Sequence, residues 1–376
     1  MSTVFSVILW VIVGGAIVRL HVALWSRYFH ARQYADQVHF CQTEDGWRLA
    51  LHRYLPKKQI YKEPLFLCHG MGANRHNYDM GQERSLARSL AGHGFDVWVV
   101  ELRGAGLSTR PRWFSKFKST FTFDDHLNLD IPAALELVRK VTAEPECIWV
   151  GHSMGGMLGY AWLGSRADSG VRGLVAVSSP VQLNVSGNVK WSHHLIRLMI
   201  VGRTIAFRPF ARFFSPFMGW SLRTLSKIVV SKEEMEGPML RRCLVNLTEN
   251  TSGALMRQFF SWIRLGTFES EDKEVNYQAN LAKIEQPVLI LAADNDHIAP
   301  PDAVAPAYER IKSEDKQLRI FGNDRGDDYD FGHGDILLGI HAPELVFVEI
   351  SDWLESRATR LAGKDCQSDQ QEKTDE

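Results

Sequence analysis

The sequence predicts an α/β fold: a mostly parallel central sheet with helices on both faces, split by a helical insertion and preceded by one apolar helix. Three observations carry this. Apolar runs of strand length, at 64–70, 95–100, 148–150, 171–177, 288–291 and 317–321, alternate with helical segments, the mark of strands buried on both faces. Between residues 182 and 285 the alternation stops and an aromatic, basic, helical stretch takes its place. Val4 to Val18 carry no charge and are apolar apart from Ser6.

The 376 residues suit one large α/β domain with an inserted subdomain. An apolar content of 45% is normal for a globular chain and too low for a polytopic membrane protein. A formal net charge of −1 gives no global field for nucleic acid. Five cysteines, widely spaced and without a Cys-x-x-Cys, imply neither a disulfide framework nor a zinc site; a reducing compartment fits.

Residues 1–30 form the first unit. The uncharged run is shorter than the roughly 20 residues of a span, but Arg19 can snorkel and the segment continues to Trp25. A membrane anchor is expected, with a cleaved signal peptide and a buried helix as rivals. Residues 1–3 lack the positive charge of a signal peptide. Arg19, Arg27 and Arg32 follow the run, which by the positive-inside rule places the rest of the chain in the cytoplasm.

Residues 38–181 are expected to form the first half of the core. Val38 to Cys41 and Trp47 to His52 alternate around Asp45-Gly46 and read as a hairpin. The run 64–70 ends in His69-Gly70, and His69 is expected to hold the following loop. A helix near 83–93 precedes the strand Phe95 to Val100. The helix over 123–141 begins with Asp124, Asp125 and Asp130, acids that suit a helix start better than a metal site. Pro132 fits it only in a first turn.

Residues 147–160 organise the rest. Ile148 to Val150 lead into Gly151-His152-Ser153-Met154-Gly155, and a small-residue helix follows. A serine at the tip of a sharp strand-to-helix turn is exposed and strained, with a helix N-terminus behind it that favours negative charge. Gly151 and Gly155 must be small because strand and helix pass close there. In that context the pattern marks a nucleophile elbow.

Residues 182–285 read as a helical cap. Residues 185–230 hold seven Lys/Arg and no Asp/Glu. Phe207, Phe210, Phe213, Phe214, Phe217 and Trp220 interleave with Arg208, Arg212 and Arg223. Such a segment suits an apolar lid over a site, or an anionic membrane surface; no nucleic-acid-binding module is present.

Residues 286–361 complete the core. Val288 to Leu291 run into Asp294-Asn295-Asp296, and Phe331-Gly332-His333-Gly334-Asp335 precedes an apolar helix start. Asp335 is expected to cap that helix. Asp327, Asp328 and Asp330 crowd the same loop. A last helix spans 342–361, and 362–376 has the composition of a disordered tail.

As a set, Gly151-x-Ser153-x-Gly155, His69-Gly70, Arg103-Gly104-Ala105-Gly106-Leu107-Ser108, the Asp at 296 and Gly332-His333-Gly334-Asp335 resemble the α/β-hydrolases of the lipase and esterase kind, over roughly residues 38–360. The resemblance implies Ser153 as nucleophile, His333 as general base and Asp296, with Asp294 its competitor, as the acid. Ala293 stands where the family has glycine. It implies an oxyanion hole from the amides of Met71 and Met154, and a chemistry without metal or organic cofactor. The expected substrate is a carboxylic ester of a lipid or another apolar acid, met at a membrane. An acyltransferase with the same three residues, or a non-catalytic binding protein on this fold, are the alternatives.

Overall fold

The computed structural model describes residues 2–32, 35–81, 84–111, 116–183, 203–218, 230–231 and 233–361. The hairpin forms where the Asp-Gly turn predicts it: β1 (Gln37–Gln42) and β2 (Arg48–Tyr54) pair antiparallel, with Gly46 at φ +86°. β3 (Leu65–Cys68), β4 (Val97–Glu101), β5 (Cys147–His152) and β6 (Val171–Val177) follow. Inside the insertion, β7 (Thr204–Ile205) and β8 (Thr251–Ser252) make a short ribbon. β9 (Val288–Ala293) and β10 (Lys316–Phe321) close an eight-stranded sheet of order β1-β2-β4-β3-β5-β6-β9-β10. It is parallel from β4 through β10; β2 pairs antiparallel with β4.

Strand side chains alternate between two cores, one on each face. Phe66, Cys68 and Trp149 enter one; Leu65, Leu67, Ile148 and Val150 enter the other. Removing a large side chain of this kind from water contributes about 1.5–3 kcal/mol. Helix α1 (Ser2–Tyr28) precedes the sheet, and Ser85 caps α2 (Leu86–Gly92), three residues later than the sequence suggested. The helix expected over 123–141 contains a π-turn, His126–Asp130, directly before α3 (Ile131–Thr142). That turn resets the helix, so Pro132 falls in the first turn of α3, where no amide is missed. Helix α4 (Met154–Ser165) runs from the elbow.

In the insertion, α5 (Phe207–Phe214), α6 (Gly237–Asn246) and α7 (Gly253–Leu265) are described. Most of the basic run 185–230 and the tail 362–376 lie outside the described residues. The short α8 (Asp335–Leu338) and the C-terminal α9 (Ala342–Arg357) complete the chain.

One helix, Thr3–Tyr28, is long and apolar enough to cross a membrane, and its side chains are not buried against the rest of the chain. Trp10 is 73% exposed. A buried core helix is therefore excluded among the described residues. Its last turns touch the insertion. His21 Nε2 lies 3.0 Å from the Phe213 carbonyl, and the His21 ring stacks on Phe217. Asn246 holds the chain below: its amide donates to the Phe29 carbonyl at 2.9 Å and its oxygen accepts from Ala31 N–H at 3.0 Å.

Candidate active site

β5 delivers Ser153 at its carboxyl end. The residue sits at φ 54°, ψ −122°, a conformation that side chains rarely adopt. Its N–H is anchored to the Val177 carbonyl at 2.8 Å, and α4 starts one residue later. The two glycines have steric causes. A Cβ on Gly155 would lie 1.9 Å from the Cys68 carbonyl oxygen, and one on Gly151 would lie 2.4 Å from Gly156 N. Strand and helix can pass this close only with hydrogens at both positions.

The loop after β10 brings His333 to the serine. Its Nε2 is 3.0 Å from Ser153 Oγ, across 180 residues of sequence. Its Nδ1 is 2.7 Å from Asp296 Oδ2. The carboxylate fixes the tautomer: Nδ1 carries the proton and Nε2 is left to accept from the hydroxyl. Asp296 leaves β9 on a turn, and its Oδ1 accepts from Ile298 N–H at 2.8 Å and Ala299 N–H at 2.7 Å. Burial works to raise this carboxyl, but the His333 imidazole and the two amides outweigh it and hold it below the usual carboxylate range. Asp294, the competitor, faces away and pairs with Arg325 at 3.0 Å.

Met154 is the first residue of α4, so its amide points from a helix N-terminus. Met71 sits in the turn after β3, where Gly70 presses on the serine; a Cβ on Gly70 would lie 3.1 Å from Ser153 Cβ. His69 braces that turn. Its Nε2 accepts from Leu102 N–H at 3.2 Å, so Nδ1–H donates to the Gly70 carbonyl at 2.8 Å. Burial pushes this imidazole down to about 4, so it is neutral and both nitrogens are used.

His152, expected only as part of the elbow, stands between two loops. Its Nε2 lies 2.9 Å from the His333 carbonyl and its Nδ1 3.0 Å from Asn77 Oδ1. Burial, with His333 beside it, lowers this imidazole to about 3. The neutral ring has one N–H, which Nε2 gives to the His333 carbonyl, and Asn77 Oδ1 accepts from Gly70 N–H at 3.1 Å. It thus links the turn holding Met71 to the backbone of His333, and nothing in its local sequence signals the role.

Asp335 does not cap α8. Its carboxylate accepts from Gly332 N–H at 3.1 Å and from Ser231 N–H at 3.0 Å, which ties the insertion to the His333 loop. Burial pushes it up to about 7, with Glu234 adding, against the pull of those amides. Asp327 pairs with Arg319 and Asp330 with Asn323, so neither is spent on His333. Asp124 accepts from Gln258 and Tyr277, Asp125 makes a capping box with Thr122, and Asp130 pairs with Arg103 and His126. A small cleft lies beside the elbow, lined by Gly70, Phe121 and Met154 from the core and Thr251 and Leu255 from the insertion.

A family model described as the alpha/beta hydrolase fold matches residues 63–325. Human gastric triacylglycerol lipase is 22% identical over 361 residues, 84% of this chain and 87% of that protein. A probable lipase of Schizosaccharomyces pombe is 28% identical over 161 residues, which span only 35% of its length. The crystal structure of a Paleococcus ferrophilus monoacylglycerol lipase superposes with a TM-score of 0.56 at 20% identity, over 82% of this chain and 99% of that one; at that identity the likeness concerns the fold.

Proposed function

The chain belongs to the α/β-hydrolase fold family, and we propose that it hydrolyses carboxylic esters of lipids through Ser153, His333 and Asp296. The observation that carries this is the unbroken chain from Ser153 Oγ to His333 Nε2 at 3.0 Å and from His333 Nδ1 to Asp296 at 2.7 Å, on a serine held at positive φ.

Ser153 Oγ attacks the acyl carbonyl while His333 Nε2 takes its proton. The Asp296 carboxylate stabilises the imidazolium and keeps it in register. The Met71 and Met154 amides receive the charge that develops on the carbonyl oxygen; each such donor is worth about 3 kcal/mol of barrier. His333 then protonates the leaving alcohol. Water, deprotonated by the same nitrogen, opens the acyl-enzyme.

The lipid substrate rests on the lipases among the relatives, on the apolar helix, and on the aromatic insertion that its last turns touch. Residues 1–30 act as a single-pass anchor, the insertion from 182 to 285 as a cap, and the catalytic domain faces the cytoplasm. The test is labelling by a fluorescent fluorophosphonate. Full-length protein labels in the membrane fraction, a chain lacking residues 1–30 labels in the soluble fraction, and Ser153→Ala labels in neither. A folded Ser153→Ala protein that still labels overturns the nucleophile.

A further inference from the structure

A second concentration of charge lies over the turn that holds Met71. Arg110, Arg208 and Arg212 gather there with one carboxylate, Glu249, whose side chain is 4% exposed. Glu249 pairs with Arg110 Nη2 at 2.9 Å and Arg208 Nη1 at 3.2 Å. It also accepts from Asn74 Nδ2 at 3.0 Å and Gly106 N–H at 3.2 Å. Its own N–H donates to the Gly72 carbonyl at 2.7 Å. Arg212 is turned to the Val245 carbonyl at 3.3 Å.

Two features are unexplained by a latch between insertion and core. One carboxylate faces three cations, and the surplus is felt: burial and then Arg208 push Arg212 down to about 10 in spite of Glu249, with Arg110 adding to the repulsion. Moreover, Arg110 Nε and Arg208 Nε are buried with no hydrogen-bond partner among the described residues. A buried donor left without an acceptor costs roughly 1–3 kcal/mol, and more on a charged group. A latch alone would be better made with fewer arginines. Both arginine side chains are partly open to solvent, at 39% and 22% exposure. An anion with several acceptor oxygens, as a phosphate has, suits guanidinium forks of this kind.

The position relates this to the chemistry. Gly70 abuts Ser153, and Gly72, two residues on and so at most about 7 Å away, touches both the Glu249 backbone and Phe207. The cluster is thus tied through Glu249 to the loop that abuts the nucleophile. We propose that Arg110, Arg208 and Arg212 bind the phosphate of a glycerophospholipid whose acyl ester lies at Ser153. This rests on the hydrolase reading above and narrows its substrate class.

The experiment compares two esters with identical acyl groups, dihexanoylglycerol and its phosphorylated counterpart, dihexanoyl phosphatidic acid. The detergent-solubilised full chain turns both over, and kcat/KM favours the phosphorylated ester. Arg208→Gln and Arg110→Gln each lower the ratio of the two kcat/KM values about tenfold or more, and Arg208→Lys, which keeps the charge, recovers part of it. An unchanged ratio in both glutamine variants overturns the proposal, as does an equal loss on both esters, which would mark the cluster as a latch. Inorganic phosphate competes with the phosphorylated ester, and less so in the variants. If phosphate instead alters turnover of dihexanoylglycerol while wild type shows no preference between the esters, the site takes free phosphate and the substrate proposal fails. Turnover of neither ester overturns the hydrolase reading itself, and this one with it.

Discussion

The floor of the site and the insertion above it handle buried charge in opposite ways. On the floor, each group has its partner: Asp296 holds His333 and two amides, His333 holds Ser153, and Asn77 and His152 join the two loops. Where the insertion meets the core, Arg208 and Arg212 of the insertion and Arg110 of the core surround one carboxylate, and two of their nitrogens go unmatched among the described residues. A closed network pre-organises a reaction, because nothing must reorient when charge develops. An open one is suited to being completed by a ligand. At the N-terminal helix, His21 and Phe213 meet through a polar contact and ring packing.

Substitutions can break or sharpen this contrast. The largest effect is expected at Asp296. Asp296→Asn removes the carboxylate that selects the tautomer of His333 and should lower kcat by about 10⁴-fold, the scale such a change has in serine proteases. Asp294→Asn removes only a partly exposed pair with Arg325 and should leave kcat unaltered and stability within about 0.5 kcal/mol. If the two variants exchange these phenotypes, the acid is Asp294.

Gly155→Ala comes next. Its methyl would enter the space of the Cys68 carbonyl, a backbone atom that cannot swing away. Loss of about 3 kcal/mol or more is expected, read as a fall in the denaturation midpoint. A wild-type midpoint would mean that strand and helix separate more easily than the close contact implies.

A smaller effect belongs to Asp335, where floor meets insertion. Its carboxyl is raised to about 7 in the folded chain, against about 3.9 when unfolded. Between those values the native state holds more proton than the unfolded one, so this group's contribution to stability falls as pH rises from about 4 to 7. Asp335→Asn should flatten the dependence of the unfolding free energy on pH in that window, by a few kcal/mol at most, at about 1.4 kcal/mol for each unit by which the two pKa values differ. Parallel curves for the two proteins would show that the Gly332 and Ser231 amides hold the carboxylate ionised after all.

Much of the floor was legible because its requirements are local. A Gly-x-Ser-x-Gly turn between an apolar strand and a small-residue helix can be recognised within a dozen residues, and so can a Gly-His-Gly-Asp loop. The choice of Asp296 over Asp294 was what the resemblance implied, and the structure brings Asp296 to His333 and sends Asp294 to Arg325. Asp335 went the other way. A carboxylate at the first position of a short helix reads as a cap, but its partners, Gly332 and Ser231, are set by how the insertion folds back. The π-turn at His126–Asp130 was likewise hidden, since Pro132 signals only that something must give.

By itself the sequence determined the alternating strands and helices, the elbow and its two glycines, the apolar N-terminal helix, and the excess of positive charge between β6 and β9. Hydrophobic period, turn chemistry and steric limits at glycine act over a few residues, so they are written in order along the chain. Only the tertiary structure decided that Ser153 meets His333 across 180 positions, that Asn77 and His152 brace both loops, that the helix at the N-terminus stays exposed, and that Arg110 joins Arg208 and Arg212 around Glu249. These are meetings between side chains far apart in the chain. They depend on the register of the sheet and the path of the insertion, which no local pattern encodes.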